Sequence, residues 1–265
     1  SNSSWSQIGA DILGVQSGEV SGYSLALSDD GTRLAIGAAR NNNGNGVYAG
    51  KVRVFQWDGS TWGLLGDSII GDAAGDKFGN TVDLSADGGI LAVTGPLNDS
   101  NGENSGHAKV FSWDPVVSAW RQLGESITGE AIEDEMGSWN VSLSASGLTI
   151  AVGAWRNDGA GEDSGHTRVF DWDGLHWTQR GSDIDGAAAG DRSGTSVSIN
   201  SAGTILAIGA PFNDAINENS GHVRVYEWSE TSLLWVQKGQ DIEGEAAVCE
   251  ADKGYTDTDG DGVLE

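Results

Sequence analysis

Along the chain, apolar and polar residues alternate with a period of two over short runs bounded by Gly, Asp and Asn clusters. Such runs predict β-strands. One kind alternates apolar with small polar residues, as in Val197-Ser198-Ile199. A second alternates large with tiny, as in Leu34-Ala35-Ile36-Gly37 and Leu206-Ala207-Ile208-Gly209. A third is β-branched and aromatic, as in Val52-Arg53-Val54-Phe55-Gln56-Trp57. A fourth opens on a tryptophan. No segment sustains the i, i+3, i+4, i+7 pattern of a helix for three turns, so the chain is expected to be all-β.

These runs recur in a fixed order. Trp5, Trp62, Trp120, Trp177 and Trp235 open related phrases, WSQIGADILG through WVQKGQDIEG, spaced 57 or 58 residues apart. The phrases after Gly50, Gly106, Gly165 and Gly221 (KVRVFQW, HAKVFSW, HTRVFDW, HVRVYEW) recur four times. So do those beginning at Ser21, Phe78, Gly137 and Ser193. A unit of this length with four strands predicts a β-propeller of four-stranded antiparallel blades. The large-and-tiny strand fits blades stacked face to face. A β-solenoid is the alternative, but its coils are shorter. The expected division is an orphan last strand in 1–20, blades at 21–76, 77–134, 135–191 and 192–248, and an acidic tail at 249–265. The third repeat carries one extra residue near Trp139, which predicts a bulge. The Trp-led strand occurs five times and the others four. The chain therefore reads as a processed form or a piece of a longer protein, whose N-terminal strand completes another blade or pairs with a second copy.

Phe78-Gly79-Asn80-Thr81-Val82, followed by Ser85-Ala86-Asp87-Gly88 and Leu91-Ala92-Val93-Thr94-Gly95-Pro96, resembles the FG-GAP repeat of integrin-α-like propellers. The fuller pattern resembles repeats of secreted proteins from marine microbes and algae. The resemblance implies a propeller and an extracellular location. It does not carry over the family's calcium loops. The corresponding turns, such as Ser28-Asp29-Asp30-Gly31 and Ser144-Ala145-Ser146-Gly147, are too poor in carboxylates to supply the six to eight oxygens of a calcium site.

Charge narrows the function classes. The 39 acidic and 14 basic residues give a net charge of −25, which repels phosphate backbones and argues against nucleic-acid binding. One cysteine excludes a disulfide framework. No apolar run approaches the ~20 residues of a membrane-spanning helix. The 41 glycines fall largely at recurring turns.

Candidate chemistry lies mainly in loops. Asn98, Asp99, Asn101, Asn157, Asp158, Asn213 and Asp214 sit in equivalent loops, where they could contact a ligand or simply form turns. Asp257, Asp259 and Asp261, with Gly262 at the sixth position, are spaced like the start of a calcium loop. Asn2, Asn98 and Asn140 begin N-x-S/T glycosylation triplets. His107, His166 and His222 share one repeat position, read as a strand-start hydrogen bond or a metal ligand. No elbow, P-loop or zinc-protease motif occurs, so no catalytic residue and no enzyme is expected. The expected function is an extracellular structural or adhesive module stabilised by calcium, whose partner is a protein, a glycan or a second copy. A lectin-like propeller or a head-to-tail filament subunit are the alternatives.

Overall fold

The alternating runs pair as antiparallel ladders. The computed structural model describes residues 4–244, which hold four β-sheets and no helix. Blade one comprises β1 (Ser24–Leu27), β2 (Arg33–Ala38), β3 (Lys51–Trp57), β4 (Trp62–Leu64) and β5 (Ile69–Ile70). Blade two comprises β6 (Val82–Leu84), β7 (Ile90–Gly95), β8 (His107–Asp114), β9 (Ala119–Gln122) and β10 (Ile127–Thr128). Blade three runs through β11 (Val141–Leu143), β12 (Thr149–Ala154), β13 (His166–Trp172), β14 (Trp177–Gln179) and β15 (Ile184–Asp185). Blade four runs through β16 (Ser196–Ile199), β17 (Ile205–Ala210), β18 (His222–Ser229), β19 (Leu234–Gln237) and β20 (Ile242–Glu243). The propeller expectation holds. No helix among these residues is long and apolar enough to cross a membrane.

The fourth strand of each blade is interrupted. In blade one, β4 pairs with the far half of β3, from Phe55↔Leu64 to Trp57↔Trp62. The near half, Lys51 and Val52, pairs with β5. Gly66, at φ 74°, makes the break between them, a backbone position that glycine occupies without steric cost.

The core lies in the seams between blades. Ala35, Val52 and Val54 of blade one pack against Val82 and Leu84 of blade two. Ala92, Ala108 and Val110 meet Val141 and Leu143. Ala151 and Val169 meet Val197 and Ile199. Each fully buried Val, Leu or Ile contributes about 1.5–3 kcal/mol. The tiny residues of the second strand are needed there. A side chain on Gly37 would collide with the carbonyl of Gly79, and one on Gly153 with that of Gly194, both in the next blade. Leu25 and Leu27 occupy the positions of Val82 and Leu84 but are 60% and 57% exposed, because no described blade covers that face of blade one.

A second contact closes each seam near the rim. The tryptophans of the third and fourth strands pair across the ladder, with ring centroids 5.4–5.5 Å apart in all four blades. The fourth-strand indole then donates its N–H to the preceding Trp-led phrase. Trp62 bonds to the Ile8 carbonyl at 3.3 Å, Trp120 to Leu65 at 3.0 Å, Trp177 to Leu123 at 2.7 Å and Trp235 to Arg180 at 2.9 Å. The next residue of each phrase is Gly9, Gly66, Gly124 or Gly181, and it lies against the third-strand tryptophan of the following blade. The three inner Trp-x-x-x-Gly phrases, at Trp62, Trp120 and Trp177, thus each receive a tryptophan with their glycine and reach back with their own indole. The N-terminal phrase of residues 5–14 takes the receiving role toward blade one.

This arrangement predicts a difference between two glycines of similar backbone. Gly124 and Gly239 both have positive φ, 73° and 86°, so an alanine at either meets backbone strain. A Cβ on Gly124 would stand 2.5 Å from the Trp172 ring, whereas one on Gly239 meets nothing within 4 Å. Gly124→Ala should therefore cost about 1–3 kcal/mol more than Gly239→Ala, read from urea unfolding midpoints. Equal losses would show that the glycine–tryptophan contact does not hold the seam.

Candidate functional site

The first hairpin of each blade ends at the propeller axis in a tight turn with Gly31, Gly88, Gly147 or Gly203 at φ 65–71°. Adjacent turns are stitched by backbone bonds. The Asp29 N–H donates to the Ala86 carbonyl, Ala86 to Ala145 and Ala145 to Ser201, at 2.9, 2.9 and 3.0 Å. Between them lies a cavity of about 200 Å³ that draws on all four blades. Its walls include Asp29, Asp83, Ser144 and Ser201, with Leu27, Leu143 and Ile199 supplying apolar surface. Among the described residues, no Lys or Arg lines it.

Both acids break the repeat. The position of Asp83 is Ala26, Ser142 and Ser198 in the other blades, and that of Asp29 is Ala86, Ala145 and Ser201. Asp83 projects from β6 toward β11. One carboxylate oxygen accepts the Leu143 N–H at 2.7 Å and the other its neighbour's, Leu84, at 2.8 Å. The Ser142 hydroxyl accepts the Ile199 N–H at the next seam, at 3.1 Å. Burial pushes the Asp83 pKa above the usual carboxylate range, and the two N–H donors only partly counter it. A carboxyl with a raised pKa in a cavity that a second acid also lines is suited to general acid–base work. Comparing equivalent repeat positions is the signal that finds both residues; no sequence motif marks either.

The loop residues singled out from the sequence divide by role. Asn98, Asn157 and Asn213 are buried. Their amides donate to Asp76, Asp134 and Asp191 of the preceding segment at 2.9, 3.3 and 2.9 Å. Asn41 does the same to Glu19 at 2.6 Å. These asparagines clamp one blade to the next and do not face solvent, so Asn98 does not present the exposed amide that a glycan needs. Asp99, Asp158 and Asp214 lie at the surface and cap their own loops, accepting N–H bonds from Asn104, Asp163 and Asn219. The Asn101 amide donates to the Gly129 and Glu130 carbonyls. Asn140 precedes β11 and donates to the Val197 carbonyl at 3.0 Å. Asn2, Asp257, Asp259 and Asp261 lie outside the described residues.

His107, His166 and His222 begin their strands and are almost fully buried. Their ring nitrogens have no hydrogen-bond partner. The expected strand-start hydrogen bond is therefore absent among the described residues. Burial lowers the pKa of His107 and of His166 to about 4, aided by Lys109 and Arg168 respectively. Lys51, at the same position in blade one, pairs with Glu19 at 3.3 Å.

No family model matches the chain. Among solved structures, it is similar to two candidate 6-phosphogluconolactonases, from Bacteroides uniformis and Bacteroides fragilis. The first aligns with a TM-score of 0.57 at 14% identity over 84% of this chain and 55% of that one. The second aligns with a TM-score of 0.55 at 12% identity over 83% and 54%. A curated lysylphosphatidylglycerol biosynthesis bifunctional protein, LysX, from Mycolicibacterium vanbaalenii is 28% identical over 102 residues. The chain spans about half the length of the two structures and 8% of the LysX protein. At these identities the structural likeness establishes the propeller fold. It also overturns the expectation of a non-enzymatic adhesive module, together with its lectin-like and filament variants. The neighbours bear an enzyme's name, and no name among these matches is that of an adhesive protein.

Buried His107 and His166 make stability depend on pH. A folded-state pKa near 4 against an unfolded value of 6.5 means that the unfolded chain binds more protons between those values. Stability is fully present above about pH 6.5 and declines as the pH falls toward 4. His107→Gln should remove about 3 kcal/mol of that decline, measured as unfolding free energy at pH 7 and pH 4. Superimposable pH profiles of wild type and variant would refute the assignment.

Proposed function

We propose that this propeller is a hydrolase that opens an uncharged cyclic ester of a sugar acid in its axial cavity, with Asp83 as the acid–base residue. The reading is carried by one observation: two repeat-breaking carboxylates, one with its pKa raised by burial, share a cavity at the axis. The fold's likeness to candidate sugar-lactone hydrolases supports the substrate class.

In the proposed reaction, Asp83 takes a proton from a water molecule as its oxygen attacks the lactone carbonyl. The bond from the carbonyl carbon to the ring oxygen then breaks. The proton passes from Asp83 to the departing ring oxygen, leaving an open-chain hydroxy acid. Asp29 and the serine-bearing turns offer acceptors for sugar hydroxyls. The absence of Lys and Arg from the walls, and the net charge of −25, disfavour a phosphorylated substrate. That is a difference from the activity named for the structural neighbours.

The test is proton release in a pH-stat, with D-glucono-1,5-lactone and its 6-phospho derivative compared against spontaneous hydrolysis. Catalysis of the unphosphorylated lactone is expected. Asp83→Asn should lower it about 10²–10⁴-fold without loss of fold by circular dichroism, and Asp29→Asn should mainly raise KM. No acceleration by wild type, or full activity in Asp83→Asn, would overturn the proposal.

A further inference from the structure

The buried histidines of blades three and four each have two carboxylates within reach, His166 those of Glu130 and Asp183 and His222 those of Asp241 and Glu243, and only the first set bridges two blades. Glu130, from the segment leaving blade two, and Asp183, just before β15, bring their carboxylates to the His166 ring. Nδ1 of His166 is 3.8 Å from Oε2 of Glu130 and 4.0 Å from Oδ2 of Asp183. Both separations are too long for hydrogen bonds. A tetrahedral zinc with bonds of about 2.0–2.1 Å holds its ligand atoms about 3.3–3.4 Å apart, so each carboxylate must move inward by roughly 0.5 Å to bind one.

The other oxygen of each carboxylate is already engaged. Oε1 of Glu130 accepts from Arg168 at 3.3 Å, and Oδ1 of Asp183 accepts from Gln179 at 2.6 Å. Three donor atoms, one imidazole nitrogen and two carboxylate oxygens, therefore lie within 4.8 Å of one another, and the imidazole nitrogen has no hydrogen-bond partner among the described residues. The supporting bonds from Arg168 and Gln179 fix the carboxylates, as outer partners do at metal centres.

We propose that Glu130, His166 and Asp183 bind one divalent transition-metal ion, such as zinc, at the seam between blades two and three. Imidazole with carboxylates suits zinc and its first-row neighbours better than calcium or magnesium. Two carboxylates balance the ion's charge, and Glu130 and Asp183 are open enough to solvent to admit it and to close the remaining distance.

Blades one and two lack the ligand set. Blade one places the fixed cation Lys51 at the histidine position. Blade two keeps His107, but Ser126 stands where blade three has Asp183, and Asp72, in the position of Glu130, is held by Lys109. The ion would join an acid of blade two to two ligands of blade three. It would therefore act on the seam and not on the axial cavity.

The test uses the whole chain, stripped with EDTA and titrated with ZnCl2, with bound zinc counted by native mass spectrometry. Wild type should hold one more zinc ion than His166→Lys, which copies blade one and supplies its own cation. Glu130→Gln and Asp183→Asn should each weaken binding at least about 10-fold. His107→Ala should leave the count unchanged, and His222→Ala reads separately any ion held near Asp241 and Glu243. Zinc should raise the melting temperature of wild type but not of His166→Lys. Equal zinc counts in wild type and a folded His166→Lys, or no zinc on wild type, would overturn the proposal. Neither result depends on lactone hydrolysis.

Discussion

A tryptophan ring resting on a glycine joins each blade to the one before it, and the rest of the molecule is arranged around that contact. The glycine must lack a side chain for the ring to approach, and its positive φ breaks the fourth strand at the same point. The break divides the fourth strand into two short pieces that pair with opposite halves of the third. One phrase thus sets the shape of its own blade and the spacing to the next. The apolar seam deeper in the stack depends on that spacing, because Ala and Gly on one face leave room only for the Val, Leu or Ile of the facing blade.

The strong negative charge is managed by placement. The acids of the seams, Glu19, Asp76, Asp134 and Asp191, are buried and held by asparagine amides and backbone N–H groups. Such pairs leave no buried oxygen without a donor, which would otherwise cost about 1–3 kcal/mol each. Surface acids such as Asp58 cap turns, where four bonds from Ser60 and Thr61 hold the Asp58 pKa at about 2. A few acids belong to neither group. Asp29 and Asp83 line the axial cavity, and Glu130, Asp183, Asp241 and Glu243 lie beside a buried imidazole.

The fold was legible because repetition multiplies a weak signal. A single Leu-Ala-Ile-Gly run is ambiguous, but four copies at one spacing, each followed by a Trp-led phrase, fix strand order and blade size. The interruption at Gly66 was not legible, since a glycine inside a strand pattern marks either a bulge or a close approach, and here it marks both. The loops were read from composition, and composition does not separate an amide that faces solvent from one that faces a buried acid. Asn98 and Asp76 are 22 residues apart in the chain, so their pairing comes from blade stacking. Asp83 was passed over for the opposite reason. It resembles any other acid until it is set beside Ala26, Ser142 and Ser198, where its difference becomes a signal.

Hydrogen exchange of the tryptophan indole protons, followed by NMR, tests the seam account most directly. Trp120, Trp177 and Trp235 each donate to the preceding phrase, while Trp5 is fully exposed. The account predicts that the three seam indoles exchange far more slowly than Trp5. A Gly124→Ala substitution should speed exchange of Trp177 before that of Trp235. Uniformly fast exchange of all four indoles would contradict the claim that this contact holds the blades together.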